Sequence, residues 1–135
     1  MKFYTVVFFF FFYLSASASG SQYWSNLAGN INELIQQAEI YAVQGNAKEA
    51  KRTIVKAYFG LFEDKKMEAA MRMELGAQYT YKVEKKFGTM RKLISKKAPQ
   101  TEIEQISREI QEAMKHNALK LDQAGIPAEV FQVNQ

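Results

Sequence analysis

The sequence contains no cysteine, and among its 135 residues there are only two prolines, one histidine and one tryptophan. The absence of cysteine excludes a disulfide framework, a thiolate metal site, a c-type haem attachment and a cysteine nucleophile. A chain of this length forms one domain more readily than two. Its stability must therefore come from an apolar core or from a bound ligand.

A long apolar run is found only near the N-terminus. Residues 3–14 are apolar or aromatic apart from Thr5, Lys2 precedes them, and Ala16-Ser17-Ala18 follows. This is the layout of a secretory signal peptide with cleavage after Ala18, and the run is shorter than the roughly 20 residues that span a bilayer. We expect residues 1–18 to be a signal peptide and the protein to be periplasmic or otherwise exported, with an uncleaved membrane tether as the alternative.

The charge of the chain is unevenly distributed. Basic residues outnumber acidic ones by 18 to 14, a net charge of +4. Such a charge raises the question of nucleic acid, but an exported protein rarely meets it, so no nucleic-acid partner is expected. A basic run predicts either a solvated helical face or a docking surface for an anionic membrane or an acidic partner. It comprises Lys82, Lys85, Lys86, Arg91, Lys92, Lys96 and Lys97.

Helical spacing of apolar residues recurs throughout the chain after the leader, and no stretch alternates steadily between apolar and polar. The pattern predicts an all-α fold, an antiparallel bundle of four to five helices. We expect a mobile segment at 19–27, the bundle at 28–125 and a tail at 126–135. The first helix is predicted from an N-cap at Asn30 to Gly45 and the second from there to Gly60, so that the two form an antiparallel hairpin.

The C-terminal half contains further helix signals. Pro99 breaks the chain, Thr101 with Glu104 forms a predicted capping box, and Gly125 terminates the last helix. Between residues 64 and 97, two apolar stripes are offset by about half a turn at 100° per residue. The segment must therefore break or bend near residues 76–81, or form one long helix packed on both sides.

The candidate chemistry lies in carboxylates of the middle segment. Glu74 falls within an apolar stripe, where an ionised carboxylate is costly unless it is paired or coordinates a cation. Glu63, Asp64 and Glu68 lie just upstream, and Glu84 joins Glu74 if the helix kinks between them. Each of these residues also has an explanation without a metal. Glu74 can be paired with a basic residue or only half-buried. The three upstream acids can interact favourably with a helix start, and Glu68 can pair with an arginine four residues later. Oxygen donors otherwise favour hard cations, including ferric iron, magnesium and calcium.

No catalytic constellation is found, so the sequence does not predict an enzyme. There is no nucleophile elbow, no phosphate-binding loop and no histidine beside an acid and a serine. His116 is predicted to point away from the apolar stripe of the last helix. A haem-binding bundle that uses His116 with a methionine is a third, weaker interpretation.

One segment resembles a known family. The pattern Tyr-Phe-x-x-Phe-Glu-x-x-x-Met-Glu-Ala-Ala, at Tyr58 to Ala70, is similar to the extracytoplasmic helical domain that precedes the membrane portion of bacterial high-affinity iron permeases. The likeness extends through most of residues 28–95. In that family the permease portion carries Arg-Glu-x-x-Glu motifs on transmembrane helices, and these handle the iron. Because the chain has no such spans, the resemblance implies an accessory domain and not the channel.

The sequence therefore predicts an exported helical accessory domain of an iron uptake system. Such a domain is expected to bind or present iron to, or dock on, a membrane iron permease or another uptake component. The candidate metal ligands are Glu63, Asp64, Glu68, Glu74 and Glu84. The alternative function is a structural module, without metal, that docks to membrane or envelope partners through its basic helix.

Overall fold

The computed structural model describes residues 21–131 and, within them, five α-helices and no strand. The helices are α1 (Tyr23–Val43), α2 (Ala47–Val55), α3 (Met67–Leu75), α4 (Ala77–Ser95) and α5 (Gln100–Gln123). A π-helical segment, Lys56–Glu63, continues directly from α2, and a short 3-10 turn, Ala128–Phe131, follows α5. The all-α helical bundle is confirmed. The predicted signal peptide, residues 1–18, lies outside the described residues.

The bundle has one core to which every α-helix contributes. Ile31, Ile54, Met71, Met90 and Met114, one from each helix in chain order, are all fully buried. α1 packs against α2 and α5, and α4 packs against α2, α3 and α5. Burial of these apolar side chains is the main stabilising term, at about 1.5–3 kcal/mol for each fully buried one.

The first helix begins earlier than the sequence predicted. α1 starts at Tyr23, so Asn30 is an interior, exposed position and the predicted mobile segment 19–27 is helical from Tyr23 onwards. The reason is a cap from the far end of the chain. The Asp122 carboxylate of α5 accepts hydrogen bonds from the backbone N–H groups of Trp24 and Ser25, at 3.0 and 2.9 Å. A local search for an N-cap residue misses a cap supplied by another helix.

The tail predicted at 126–135 is also part of the fold where it is described. Ile126 packs against the core, and its carbonyl oxygen accepts a hydrogen bond of 2.6 Å from the Trp24 indole Nε1. Gly125 has a φ of +67°, which confirms it as the terminating glycine of α5. The two ends of the described chain are therefore fastened to each other.

The turn between α1 and α2 confirms the predicted hairpin, but the second helix does not end at Gly60. Gly45 has a φ of +79°, and the Asn46 side chain accepts from the backbone N–H of Glu49 to cap α2. At Lys56 the backbone widens into the π-helical segment and continues to Glu63. π-helical turns are rare and are often found at functional sites.

The break predicted in the middle segment is confirmed at Gly76. This residue separates α3 from α4 with φ +92° and ψ 150°, a region that is essentially restricted to glycine. The break lets Met67 and Met71 of α3 and Val83 and Phe87 of α4 bury in the same core, although their stripes differ by half a turn. The chain thus folds back at this point instead of continuing as one helix.

The start of α5 differs from the predicted capping box. The helix begins at Gln100, with Pro99 as its N-cap and no side-chain capping bond. Thr101 is exposed, and the Glu104 carboxylate instead accepts from the Gln100 side chain. Pro99 fixes its own φ and disfavours a helical conformation in the residue before it. It therefore separates α4 from α5, and α5 begins without a hydroxyl cap.

Candidate functional site

A small ionic cluster lies where α3 and α4 fold back on each other. Arg72 of α3 bridges two carboxylates: its Nε lies 2.9 Å from Glu68, one turn earlier, and its terminal nitrogen lies 2.7 Å from Glu84 on α4. The Glu68 and Glu84 side chains are only 18% and 13% exposed, whereas the Arg72 side chain is 43% exposed. Two poorly hydrated carboxylates thus share one arginine that has open access to solvent.

The π-helical segment adds a tyrosine to this cluster. Tyr58 is half-buried, and its ring packs against the buried rings of Phe62 and Phe87, with centroid separations of 5.8 and 5.4 Å. This aromatic stack joins the π-helical segment to α4. Offset aromatic packing of this kind holds the phenol in a defined place.

The carboxylates shape the electrostatics of the site. Burial and, after it, the negative charges of Glu68, Glu84 and Glu63 raise the pKa of Tyr58 to about 12. Burial, followed by repulsion from Glu68, also raises the pKa of Glu84, and Arg72 compensates only in part. Besides burial, the negative charge of Glu68 therefore acts on both Tyr58 and Glu84.

The structure brings together some of the predicted ligands and separates others. Glu68 and Glu84 both pair with Arg72, and Glu63 is near enough for its negative charge to raise the pKa of Tyr58. Asp64 is exposed and pairs with Lys65, at 3.7 Å. Within residues 21–131, no group of three or more histidine, aspartate or glutamate side chains is arranged to hold a metal ion.

Glu74 was predicted to face the core, and that prediction was wrong. Its side chain is exposed, in a corner of the molecule where residues 76–78 are exposed as well. α3 ends at Leu75, so Glu74 lies in its last turn. The 3.6-residue period gives the direction of a side chain but not the point at which a helix leaves the core. Glu84 consequently joins Glu68 and not Glu74.

Tyr58 and Arg72 were not among the predicted site residues. The pairing of Glu68 with the arginine four residues later was the alternative to a metal-ligand role for Glu68, and the structure contains this pair. The link from Arg72 to Glu84 depends on the tertiary fold. The only sequence signal for Tyr58 is its position as the first residue of the pattern at Tyr58 to Ala70.

The sequence does contain an Arg-Glu-x-x-Glu spacing, at residues 108–112 on α5. Its Glu109 pairs with Lys86, whose ammonium lowers the pKa of that carboxyl. Glu112 is exposed. The segment is an ordinary surface stretch of an amphipathic helix, and none of the described helices is long and apolar enough to cross a bilayer.

Part of the basic run of α4 faces acidic residues of α5. Lys82, Lys85 and Lys86 line a groove whose opposite wall carries Glu102 and Glu109 of α5. Acidic residues of α5 therefore offset much of this charge. His116 is exposed, as predicted.

A pH titration tests the environment of Tyr58. The folded state keeps this phenol protonated up to about pH 12, whereas an unfolded tyrosine ionises near pH 10. The folded state therefore binds more protons in this window, and the free energy of unfolding must fall as the pH rises from about 10 to 12. We expect urea unfolding, followed by circular dichroism, to show a steeper loss of stability for the wild type than for Tyr58→Phe.

Lysine deprotonation in the same window affects both proteins alike. Tyr81→Phe, at an exposed position, is the matched control and is expected to follow the wild-type curve. Parallel curves for the wild type and Tyr58→Phe would contradict the assigned environment.

Comparison of the sequence with models of protein families, with curated proteins and with solved structures finds no match.

Proposed function

We propose that this protein is an exported accessory component of an iron uptake system, which binds iron as cargo between Glu68 and Glu84 and presents it to a membrane iron permease. The most direct support is that the segment with the family resemblance and the ionic cluster coincide in the structure. The segment that resembles the iron-permease domain, Tyr58 to Ala70, supplies Tyr58, Glu63 and Glu68 to the same cluster. Helix packing alone does not require these acids to be close together.

The energetics of the cluster support a cation site. Burial and, after it, repulsion from Glu68 raise the pKa of Glu84, so holding both carboxylates ionised in the fold costs free energy. Sites that cost stability in this way are candidates for function. Arg72 partly neutralises the pair, and its exposed side chain can swing into solvent when another cation arrives.

The donor chemistry fits iron as a transient cargo. The carboxylate oxygens of Glu68 and Glu84 are hard ligands, which suit a hard cation such as ferric iron. Two carboxylates leave most of the coordination of a metal ion to water or to a second protein. A site with so few ligands suits handing over iron better than storing it.

Thermal unfolding in the presence of iron tests the proposal. Ferric citrate, or ferrous ammonium sulfate under nitrogen, is expected to raise the melting temperature of the wild type, because a ligand that binds only the folded state stabilises it. The double variant Glu68→Gln, Glu84→Gln is expected to lose that shift. The matched control is Asp64→Asn, Glu74→Gln, which removes the same charge from two exposed predicted ligands outside the cluster.

The expected result is an iron-dependent shift that the control keeps and the cluster variant loses. Glu84→Gln alone is expected to be at least as stable as the wild type without iron at pH 7, because its ionised form is disfavoured in the fold. Loss of the response through misfolding is thereby separated from loss of binding. Absence of a shift in the wild type, or equal shifts in both double variants, would overturn the proposal.

The docking module remains the second candidate function. Lys82 and Lys85 are exposed, which favours it, whereas Lys86 is paired with Glu109. Glutamine substitution of these three lysines is expected to abolish salt-sensitive liposome binding if the basic run of α4 is the docking surface.

A further inference from the structure

A second basic surface lies between α2 and α4, and its residues come from two segments that are far apart in the sequence. An open groove of about 510 Å³ is lined by four basic side chains of α2 and its continuation and by one of α4. They are Lys48, Lys51, Arg52, Lys56 and Arg91. Arg91 lies 35 positions after Lys56 in the chain, so only the packing of α2 on α4 makes the two sets one surface.

The positive charge of this groove is not neutralised by acidic residues in its lining. No acidic residue lines it. Arg52 is paired with Glu49 at 3.1 Å, but among the ion pairs of residues 21–131 none includes Lys48, Lys51, Lys56 or Arg91. The groove beside Lys82 and Lys85, in contrast, contains two glutamates. Like charges held together repel, and an external anion relieves that repulsion.

The groove continues into a mostly apolar hollow. A neighbouring cavity of about 160 Å³ shares Val55 and Arg91 with it and extends along Phe59, Phe87 and Gly88, and Tyr58 and Glu84 of the ionic cluster also line it. Phe59 is 52% exposed, although it is a large aromatic side chain. Its only aromatic partner in the described structure is Tyr58, edge-on at 4.8 Å. Basic side chains beside a protruding aromatic ring are typical of surfaces that bind the interface of a bilayer.

We propose that this α2–α4 face, with Phe59 at its end, docks on an anionic phospholipid membrane. The five basic residues contact headgroup phosphates, and the Phe59 ring enters the interfacial region. This inference goes beyond the proposed function, because it requires no iron.

A bilayer fits this face better than an acidic polypeptide. Three of the five cations are lysines, flexible point charges that suit a fluid array of phosphates, whereas recognition of carboxylates typically uses the fixed fork of arginine. The charges are also spread over two helices and not along one line. Docking in this orientation brings the ionic cluster near the membrane, because Tyr58 of that cluster directly precedes Phe59.

Vesicle binding tests the proposal. The full chain is expressed in an exporting host, and the form recovered outside the cytoplasm is used, so that any remaining N-terminal segment is the same in every variant. Co-sedimentation compares vesicles of phosphatidylglycerol and phosphatidylcholine with vesicles of phosphatidylcholine alone. The triple variant Lys48→Gln, Lys51→Gln, Lys56→Gln is expected to bind anionic vesicles about 100-fold more weakly, since each lysine near such a surface contributes about fivefold.

The matched control removes the same charge elsewhere. Arg108→Gln, Lys115→Gln, Lys120→Gln changes three exposed basic residues of α5, outside the groove and outside the basic run of α4, and is expected to keep affinity within about threefold of the wild type. Phe59→Trp adds a reporter whose fluorescence is expected to shift to the blue with anionic vesicles only. The fully buried Trp24 supplies a constant background.

Three outcomes would overturn the docking proposal. The first is no binding to anionic vesicles, and the second is equal loss in both triple variants, which would indicate nonspecific attraction. The third is binding to poly-glutamate without binding to vesicles, which would assign the groove to an acidic polypeptide.

Discussion

Replacement of Trp24 by alanine is expected to lower the free energy of unfolding by about 3–5 kcal/mol, the range for truncation of a buried aromatic side chain. Trp24 is fully buried, and its indole N–H donates to the carbonyl of Ile126. The variant therefore leaves a cavity and also loosens the contact that fastens the two ends of the described chain. Urea unfolding followed by circular dichroism measures the loss without relying on tryptophan emission.

Two further variants make this result interpretable. Trp24→Phe keeps an aromatic ring in the core but loses the hydrogen bond and part of the buried volume, so its loss is expected to be about 1–3 kcal/mol, smaller than that of Trp24→Ala. Tyr81→Ala, at a side chain that is 55% exposed, is the surface control and is expected to change stability by about 0.5 kcal/mol or less. A loss below about 1 kcal/mol for Trp24→Ala would contradict its place in the core and would support the original prediction of a mobile segment at 19–27.

Replacement of Gly76 by alanine is expected to cost about 1–3 kcal/mol and to separate Glu68 from Glu84. The penalty comes from the backbone alone, because a Cβ at this position would meet no atom within 4 Å. At φ +92° and ψ 150°, any residue with a side chain is strained. Relief of that strain changes the angle between α3 and α4, on which the Arg72 bridge depends.

The matched control is the same substitution within a helix. Gly88 lies inside α4, where an added Cβ also meets nothing within 4 Å, so Gly88→Ala is expected to be neutral or to stabilise by up to about 1 kcal/mol. Urea unfolding measures both variants, and a weaker iron-dependent shift in Gly76→Ala would connect the helix break to the ionic cluster. Equal stabilities for the two variants would contradict the assigned backbone conformation at Gly76.

The predictions that succeeded concern features that are local in the chain. The break near Gly76, the hairpin at Gly45 and the end of α5 at Gly125 each follow from apolar periodicity and a glycine. The pairing of Glu68 with Arg72 follows from the spacing of one helical turn. These features need no knowledge of what lies across the core.

The predictions that failed depend on distant residues. The start of α1 was placed at Asn30 because the true cap, Asp122, is almost a hundred positions away in the chain. Glu74 was placed against the core because periodicity does not show where α3 ends its contact with other helices. The second helix was ended at Gly60, but the π-helical segment continues to Glu63, since packing of the Tyr58 and Phe62 rings outweighs one glycine.

The sequence by itself determined the all-α class, the absence of thiol chemistry and the restriction of candidate ligands to oxygen donors, because these depend on composition and on the 3.6-residue period. Only the tertiary structure decided which of the five candidate carboxylates meet, because Glu68 and Glu84, on different helices, share one arginine. The tertiary structure also joined Arg91 to the lysines of α2. The physical reason is the same in both cases: side chains on different helices become neighbours only when burial of the apolar stripes fixes how those helices pack.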